Sequence, residues 1–108
     1  MVEAGQGIEA VIMFYAEHAS MQENMGECRI GKELLVKHEK AAQASVTNLR
    51  SKCVRPLLIS RNIVVIRWAI GYASKQGRPV QFQELAYQHW EDELIVKEQF
   101  FYDPGQFN

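Results

Sequence analysis

Turn-forming residues are scarce in this sequence. Only seven glycines and three prolines occur in 108 residues, and a chain of many short strands needs more of them at its turns. The scarcity therefore favours a few long elements. Hydrophobic residues make up 47% of the chain and charged residues 23%, which is too apolar for a disordered protein. We predict a single globular domain over residues 1–108.

Cysteines and targeting signals are equally sparse. Cys28 and Cys53 are the two cysteines, and the first residues, MVEAGQGIEA, have neither a basic cluster nor a long apolar run, so they do not resemble a secretory signal. We therefore expect a cytoplasmic protein with two reduced, buried thiols, a disulfide being the less favoured alternative. The apolar stretch 57–73 is interrupted by Arg61 and Arg67. It is too short and too charged to span a bilayer, so no membrane association is expected.

Recognisable catalytic and metal-binding motifs are also missing. None of His18, His38 and His89 has a second histidine or a cysteine at metal-ligand spacing, and there is no glycine-rich phosphate loop. Two alternatives stay open. His89 and Glu93 can form a pH-sensitive pair on a helix, and Cys28 can form a thiolate site with His18. We predict a protein that is not an enzyme and that has no metal or cofactor.

Apolar residues recur at helical spacing in four segments. This spacing predicts helices over residues 7–25, 27–54, 61–76 and 80–101. Pro56 and Pro79 separate the last three, because the residue before a proline disfavours helical conformation. We therefore predict an all-α fold, a compact array of about four amphipathic helices around a central apolar helix at about 61–76.

The β-branched run Ile63–Ile66 leaves an alternative open. Such residues favour strands, and Arg61-Asn62 just before the run can form a hairpin turn. Against this, the segment Ala73–Gly77 is typical of the last turn of a helix followed by a glycine cap. On that ground the helix is preferred to the strand.

Acidic residues are absent between Lys40 and Gln83. This segment carries eight basic residues, whereas residues 1–39 contain seven acids and three bases, and residues 84–108 contain six acids and one base. The basic segment can pair with the acidic flanks within one molecule. Alternatively it can contact the phosphates of a nucleic acid. The candidate contacts are then Arg55, Arg61, Arg67, Lys75 and Arg78.

The segment RPVQFQELA, residues 78–86, resembles the entry to a helix-turn-helix, with a Phe-x-Glu-Leu-Ala helix after an apolar one. Together with the apolar segment 61–76, the resemblance covers about a quarter of the chain, and it implies a DNA-binding regulator as the alternative function. The residues that follow, 91–93, are all acidic, and DNA phosphates would repel them. The basic segment is therefore the better candidate for nucleic-acid contacts.

The predicted helices 7–25 and 80–101 carry more apolar surface than one small core needs. Methionine and aromatic side chains, which protein interfaces enrich, are prominent among these residues. We therefore predict a small non-enzymatic interaction module, such as an adaptor, chaperone or regulator, that binds a protein partner and forms a homodimer. Its predicted contact surface consists of Met13, Phe14, Met21, Met25, Trp90 and Phe101.

Overall fold

A computed structural model describes residues 6–107 of the chain, which form two helices and six strands. The helices are α1, Gly7–Phe14, and α2, Lys32–Ala44. The strands are β1, Tyr15–Glu23; β2, Cys28–Ile30; β3, Thr47–Ser60; β4, Ile63–Ala73; β5, Pro79–Glu91; and β6, Leu94–Phe101. A short 3-10 turn, Pro104–Phe107, follows β6.

All six strands belong to one mixed sheet with the order β2-β1-β6-β5-β4-β3. Strands β3 to β6 form an antiparallel meander. Strand β1 joins the β6 side of this meander in parallel, and β2 pairs antiparallel with β1 at the edge. The parallel pairing brings the first strand of the sequence beside the last one.

Both helices pack against each other and against β1, so they cover one face of the sheet. Leu35 of α2, only 1% exposed, lies in the core with Val11, Ala19 and Ile95. Full burial of such an aliphatic side chain contributes about 1.5–3 kcal/mol. By contrast, no residue of β3 is fully buried. The tightly packed core therefore lies on the β1–β6 side of the sheet.

The predicted all-α fold is wrong. The predicted central helix 61–76 is β4, and the predicted helix 80–101 is the β5–β6 hairpin. The predicted helix 7–25 begins as α1 and continues as β1, whereas the predicted helix 27–54 covers β2, α2 and the first part of β3. The alternative in which Arg61-Asn62 forms a hairpin turn is confirmed, and Arg61 has a φ of 56° there. The β-branched run after this turn is extended because it pairs with strands on both sides.

Strand β5 shows why helical spacing misled the prediction. Side-chain burial alternates along it, and its inner face carries Phe82, Glu84, Ala86 and Gln88. Two of these four are polar, so apolar residues do not alternate in the sequence. The outward Leu85 instead lies three residues after Phe82, a spacing that is typical of helices. Polar residues on the inner face of the sheet thus concealed the strand period.

The two cysteines lie nearer the surface than the sequence predicted. Neither Cys28 nor Cys53 forms a disulfide, but Cys28 is exposed and Cys53 is only half-buried. The expectation that both thiols are buried is therefore wrong. Over residues 6–107, neither helix has the length and apolarity needed to cross a membrane.

Candidate active site

A cavity of about 470 Å³ lies between the two helices and the inner face of the sheet. Its wall is largely apolar and includes Trp68 and Phe100. Small-molecule sites typically have this size and combine apolar walls with a few polar groups. Here four carboxylates also line the cavity, those of Glu23, Glu39, Glu84 and Glu98.

The polar network of the cavity is centred on Glu98 of β6, which is 2% exposed. The Tyr15 hydroxyl donates a hydrogen bond to Glu98 Oε1, and Gln88 Nε2 donates one of 2.7 Å to Oε2. Trp90 Nε1 in turn donates to Gln88 Oε1 at 3.0 Å. The register explains this arrangement, since Gln88 and Met21 lie opposite Glu98 on the two neighbouring strands. Every polar group of the network is therefore satisfied inside the protein.

Burial governs ionisation in this network. Loss of water raises the pKa of Glu98 above its ordinary value, although the hydrogen bonds from Tyr15 and Gln88 act in the opposite direction. Burial also raises the pKa of Tyr15 well above its ordinary value, and the neighbouring Glu98 adds to this rise. A low dielectric disfavours the charged form of both groups. Burial therefore raises the pKa of both members of the Tyr15–Glu98 pair.

Glu84 differs from Glu98 because no hydrogen bond or ion pair joins its carboxylate to another residue among 6–107. It lies on the inner face of β5, opposite Trp68 of β4. Burial is the largest cause that raises its pKa from 4.5 to about 7, and the carboxylates of Glu98, Glu23 and Glu39 add repulsion. A carboxyl with such a pKa can exchange a proton near neutral pH.

A second polar group of residues lies on the wall formed by β1 and β2. The guanidinium nitrogen Nη2 of Arg29 lies 3.4 Å from Oε1 of Glu23. The Tyr102 hydroxyl donates to the other carboxylate oxygen at 3.1 Å. Glu23 is thereby held by two donors, which distinguishes it from Glu84. Over the described part of the chain, no group of three or more His, Cys, Asp and Glu side chains could hold a metal ion.

The structure disperses the residues that were predicted to bind a partner. Met21 is buried and lines the cavity, and Trp90 packs against the core with its indole N–H bonded to Gln88. Both therefore contribute to the interior rather than to a surface. Exposed side chains remain at Met13, Phe14, Met25 and Phe101. Binding of a protein partner or of a second copy through these four stays a prediction.

The basic residues predicted to contact nucleic acid are also separated. All five are exposed, but Arg61 and Lys75 lie just beyond the opposite ends of the eleven-residue strand β4, and those strand ends are roughly 33 Å apart. Between them along β3 and β4 lie Arg55 and Arg67, and Arg78 follows Lys75. No basic residue of the segment 40–83 forms an ion pair with an acid of the described chain. Pairing with the acidic flanks therefore does not occur by direct contact, and nucleic-acid binding remains a prediction.

Sequence reasoning missed the main residues of this site: Tyr15, Glu84, Gln88 and Glu98. Tyr15 and Glu98 are 83 positions apart, so no local motif joins them. One signal was present, namely polar residues at alternating positions of β5, but it is visible only once that segment is treated as a strand. The predicted pair of His89 with Glu93 is not formed. Instead, His89 Nε2 lies 3.7 Å from Glu91 Oε1.

No protein-family model matches the sequence, and no curated protein is significantly similar to it. Solved structures do match. A protein with a ketosteroid isomerase-like fold from Catenulispora acidiphila, in complex with trimethylamine, has a TM-score of 0.83 at 16% identity, over 95% of this chain and 80% of that one. An LEH-like epoxide hydrolase from M. tuberculosis has a TM-score of 0.80 at 12% identity, over 98% of this chain and 77% of that one. IdmH from Streptomyces antibioticus, a candidate polyketide cyclase, has a TM-score of 0.78 at 16% identity, over 97% of this chain and 86% of that one.

These similarities contradict the predicted function. The helix-turn-helix regulator is wrong, because residues 79–91 form strand β5 rather than a recognition helix. The non-enzymatic helical interaction module is contradicted as well, because the fold is that of structures described as cyclases and an epoxide hydrolase, and it encloses a cavity lined by four carboxylates, of which Glu98 is buried. With 10–19% identity, the matches define the architecture alone. The chain has the α+β fold of ketosteroid isomerase-like and NTF2-like proteins.

Proposed function

We propose that this protein is an enzyme that removes a proton from a carbon atom next to a carbonyl group of a small apolar substrate. Glu84 is the general base. The observation that carries the proposal is the Glu84 carboxylate itself, which lines an apolar cavity, has no hydrogen-bond partner among residues 6–107, and has a pKa of about 7. A base with a pKa near the ambient pH combines a useful ionised fraction with sufficient basicity.

The Tyr15–Glu98 pair supports the second half of this chemistry. Removal of the proton leaves negative charge on the carbonyl oxygen, which needs a hydrogen-bond donor in a water-poor site. The raised pKa of Glu98 favours its protonated form. When a substrate binds, the Tyr15 hydroxyl can turn from Glu98 Oε1, to which it donates in the free protein, and donate to the substrate oxygen instead. A protonated Glu98 can then donate to the Tyr15 oxygen. Gln88 holds the Glu98 carboxyl in place for this role.

The spacing along β5 suits a substrate that lies between the Glu84 carboxylate and the Tyr15–Glu98 pair. Glu84 and Gln88 are two inner-face positions apart, roughly 13 Å between their Cα atoms, and Glu98 lies opposite Gln88. Ala86 and its cross-strand partner Phe100 lie between them. Polyketides and ketosteroids, which the descriptions of the similar structures mention, contain carbonyl groups, and this similarity supports a substrate of that class.

A substrate-independent probe can test the base. 5-Nitrobenzisoxazole opens when a base removes its ring proton, and the phenolate product is followed by absorbance. We expect the protein to accelerate this reaction and Glu84→Gln to lose roughly 10²–10⁴-fold in kcat, the usual contribution of a general base. The rate should rise as the pH passes about 7, because Glu84 must be ionised.

The matched control is Glu93→Gln, which removes an exposed carboxylate in the β5–β6 turn. It should retain the parent rate. Exchange of the acidic hydrogens of acetylacetone in D2O, followed by NMR, repeats the test on a carbonyl compound. If neither compound reacts faster with the protein than with acetate at equal concentration, Glu84 is not a base and the proposal is wrong.

A further inference from the structure

The 3-10 turn Pro104–Phe107 is attached to strand β5 through one side chain. Gln106 Oε1 accepts a hydrogen bond of 2.9 Å from the Gln83 backbone N–H, and Gln106 Nε2 donates one of 3.0 Å to the Gln83 carbonyl oxygen. Gln106 Nε2 also donates to the Asp103 carbonyl oxygen at 3.2 Å. The amide of Gln106 thus bonds both backbone groups of one β5 residue and ties the turn to itself.

The end of β6 explains why this contact is available. Strand β6 stops at Phe101, which pairs with Leu85 of β5. Gln83 comes two residues before Leu85 in β5, so its N–H and C=O point to the same side as those of Leu85. No residue of β6 lies opposite Gln83, because β6 has already ended. The Gln106 side-chain amide carries one donor and one acceptor, so it replaces the missing peptide group.

This contact places the next residue, Phe107, against the aromatic part of the cavity. The Phe107 ring centroid lies 4.8 Å from that of Phe82 and 5.8 Å from that of Tyr102. The Tyr72 ring centroid lies 6.4 Å from that of Phe82. All four rings line the cavity, and Phe82 is the inner-face neighbour of Glu84 on β5.

We propose that Gln106 is a positioning residue that fastens Phe107 over the cavity, and that the rings of Tyr72, Phe82, Tyr102 and Phe107 form a subsite for a planar, uncharged ring of the substrate. The inference rests on the proposed function for its link to Glu84, since the ring bound there would lie beside the base. Rings in contact at these distances favour offset or edge-to-face packing with a further flat ring. The fastened Phe107 also limits the access of water to Glu84.

Binding of prodan, a neutral naphthyl ketone whose emission shifts in an apolar environment, tests the subsite without any catalytic step. We expect Gln106→Ala and Phe107→Ala each to weaken binding roughly three- to tenfold, as expected for loss of one aromatic contact. Because Gln106 acts through Phe107, the double variant should bind no more weakly than Phe107→Ala alone. The matched control, Gln81→Ala, removes an exposed glutamine of β5 and should bind prodan as the parent does.

A second measurement separates positioning from loss of structure. In Gln106→Ala, water reaches Glu84 more easily, so the midpoint of the pH–rate profile with 5-nitrobenzisoxazole should move below about 7. Additive losses of prodan binding in the double variant, or parent-like binding in Gln106→Ala, would overturn the inference. That failure is distinct from failure of the proposed function, in which prodan binds as expected but no proton is removed.

Discussion

Gln88 and Glu98 face each other across β5 and β6, and the Gln88 amide donates a 2.7 Å hydrogen bond to the buried carboxyl. The oxygen of the same amide accepts a hydrogen bond from the indole N–H of Trp90. One neutral side chain therefore satisfies two buried polar groups of different residues. The site depends on this residue although Gln88 has no acid–base chemistry of its own.

Gln88→Leu should lower the free energy of unfolding by about 1–3 kcal/mol. The substitution preserves the bulk of the side chain but leaves the Trp90 indole and one Glu98 oxygen without their partners, and unsatisfied buried groups cost that much. Urea denaturation at pH 7 measures the effect. Gln81→Leu, at an exposed position of the same strand, is the control and should change the stability by less than about 0.5 kcal/mol.

Tyr15→Phe should destabilise the fold by a similar amount, about 1–3 kcal/mol, because the buried Glu98 carboxyl loses one of its two donors. It should also lower the rate of proton removal, since Tyr15 supplies the hydrogen bond to the substrate oxygen. Tyr87→Phe removes a hydroxyl from the outer, exposed side of β5. If both variants retain full activity with 5-nitrobenzisoxazole and acetylacetone, Tyr15 has no part in the reaction.

Glu84 should make the protein less stable as the pH rises from about 4.5 to about 7. The folded state raises its pKa from 4.5 to about 7, so over this range the folded protein binds more protons than the unfolded chain. The derivative of the unfolding free energy with pH is then negative, and the contribution is complete below pH 4.5 and lost as the pH passes about 7. Glu84→Gln should flatten this part of the stability curve, as chemical denaturation at a series of pH values can show. An unchanged slope would mean that Glu84 is solvated.

Leu35→Ala should cost about 2–5 kcal/mol, the range for truncation of a fully buried leucine. Leu35 is 1% exposed and packs between α2 and the β1–β6 side of the sheet. Its neighbour Leu34 is 47% exposed, so Leu34→Ala is a control with the same chemistry in the same helix. Thermal or urea unfolding compares the two. Equal losses of stability in the two variants would contradict this orientation of α2, in which Leu35 faces the core and Leu34 faces solvent.

Local patterns predicted some of the structure. The β-branched run after Arg61-Asn62 favoured a hairpin as an alternative, and the hairpin is present. The predicted start of a helix near Gly7 matches α1, but the helix predicted from residue 27 begins at strand β2, and α2 starts only at Lys32. Neither predicted helix ends where the structure ends it. The errors arose where inner-face positions of β5 carry Glu84 and Gln88, because the residues that build the site interrupt the apolar alternation from which strands are recognised.

The sequence by itself indicated a globular chain, offered the hairpin at Arg61-Asn62 as an alternative, and separated a basic segment between Lys40 and Gln83 from its acidic flanks. The basic residues of that segment are exposed in the structure. Only the tertiary structure decided the sheet, the cavity and the grouping of Tyr15, Glu84 and Glu98 around it. The physical reason is distance along the chain: side-chain periodicity reports on neighbours within a few residues, whereas β1 and β6 pair in parallel across most of the sequence. The raised pKa values, too, depend on burial and on charges from remote segments.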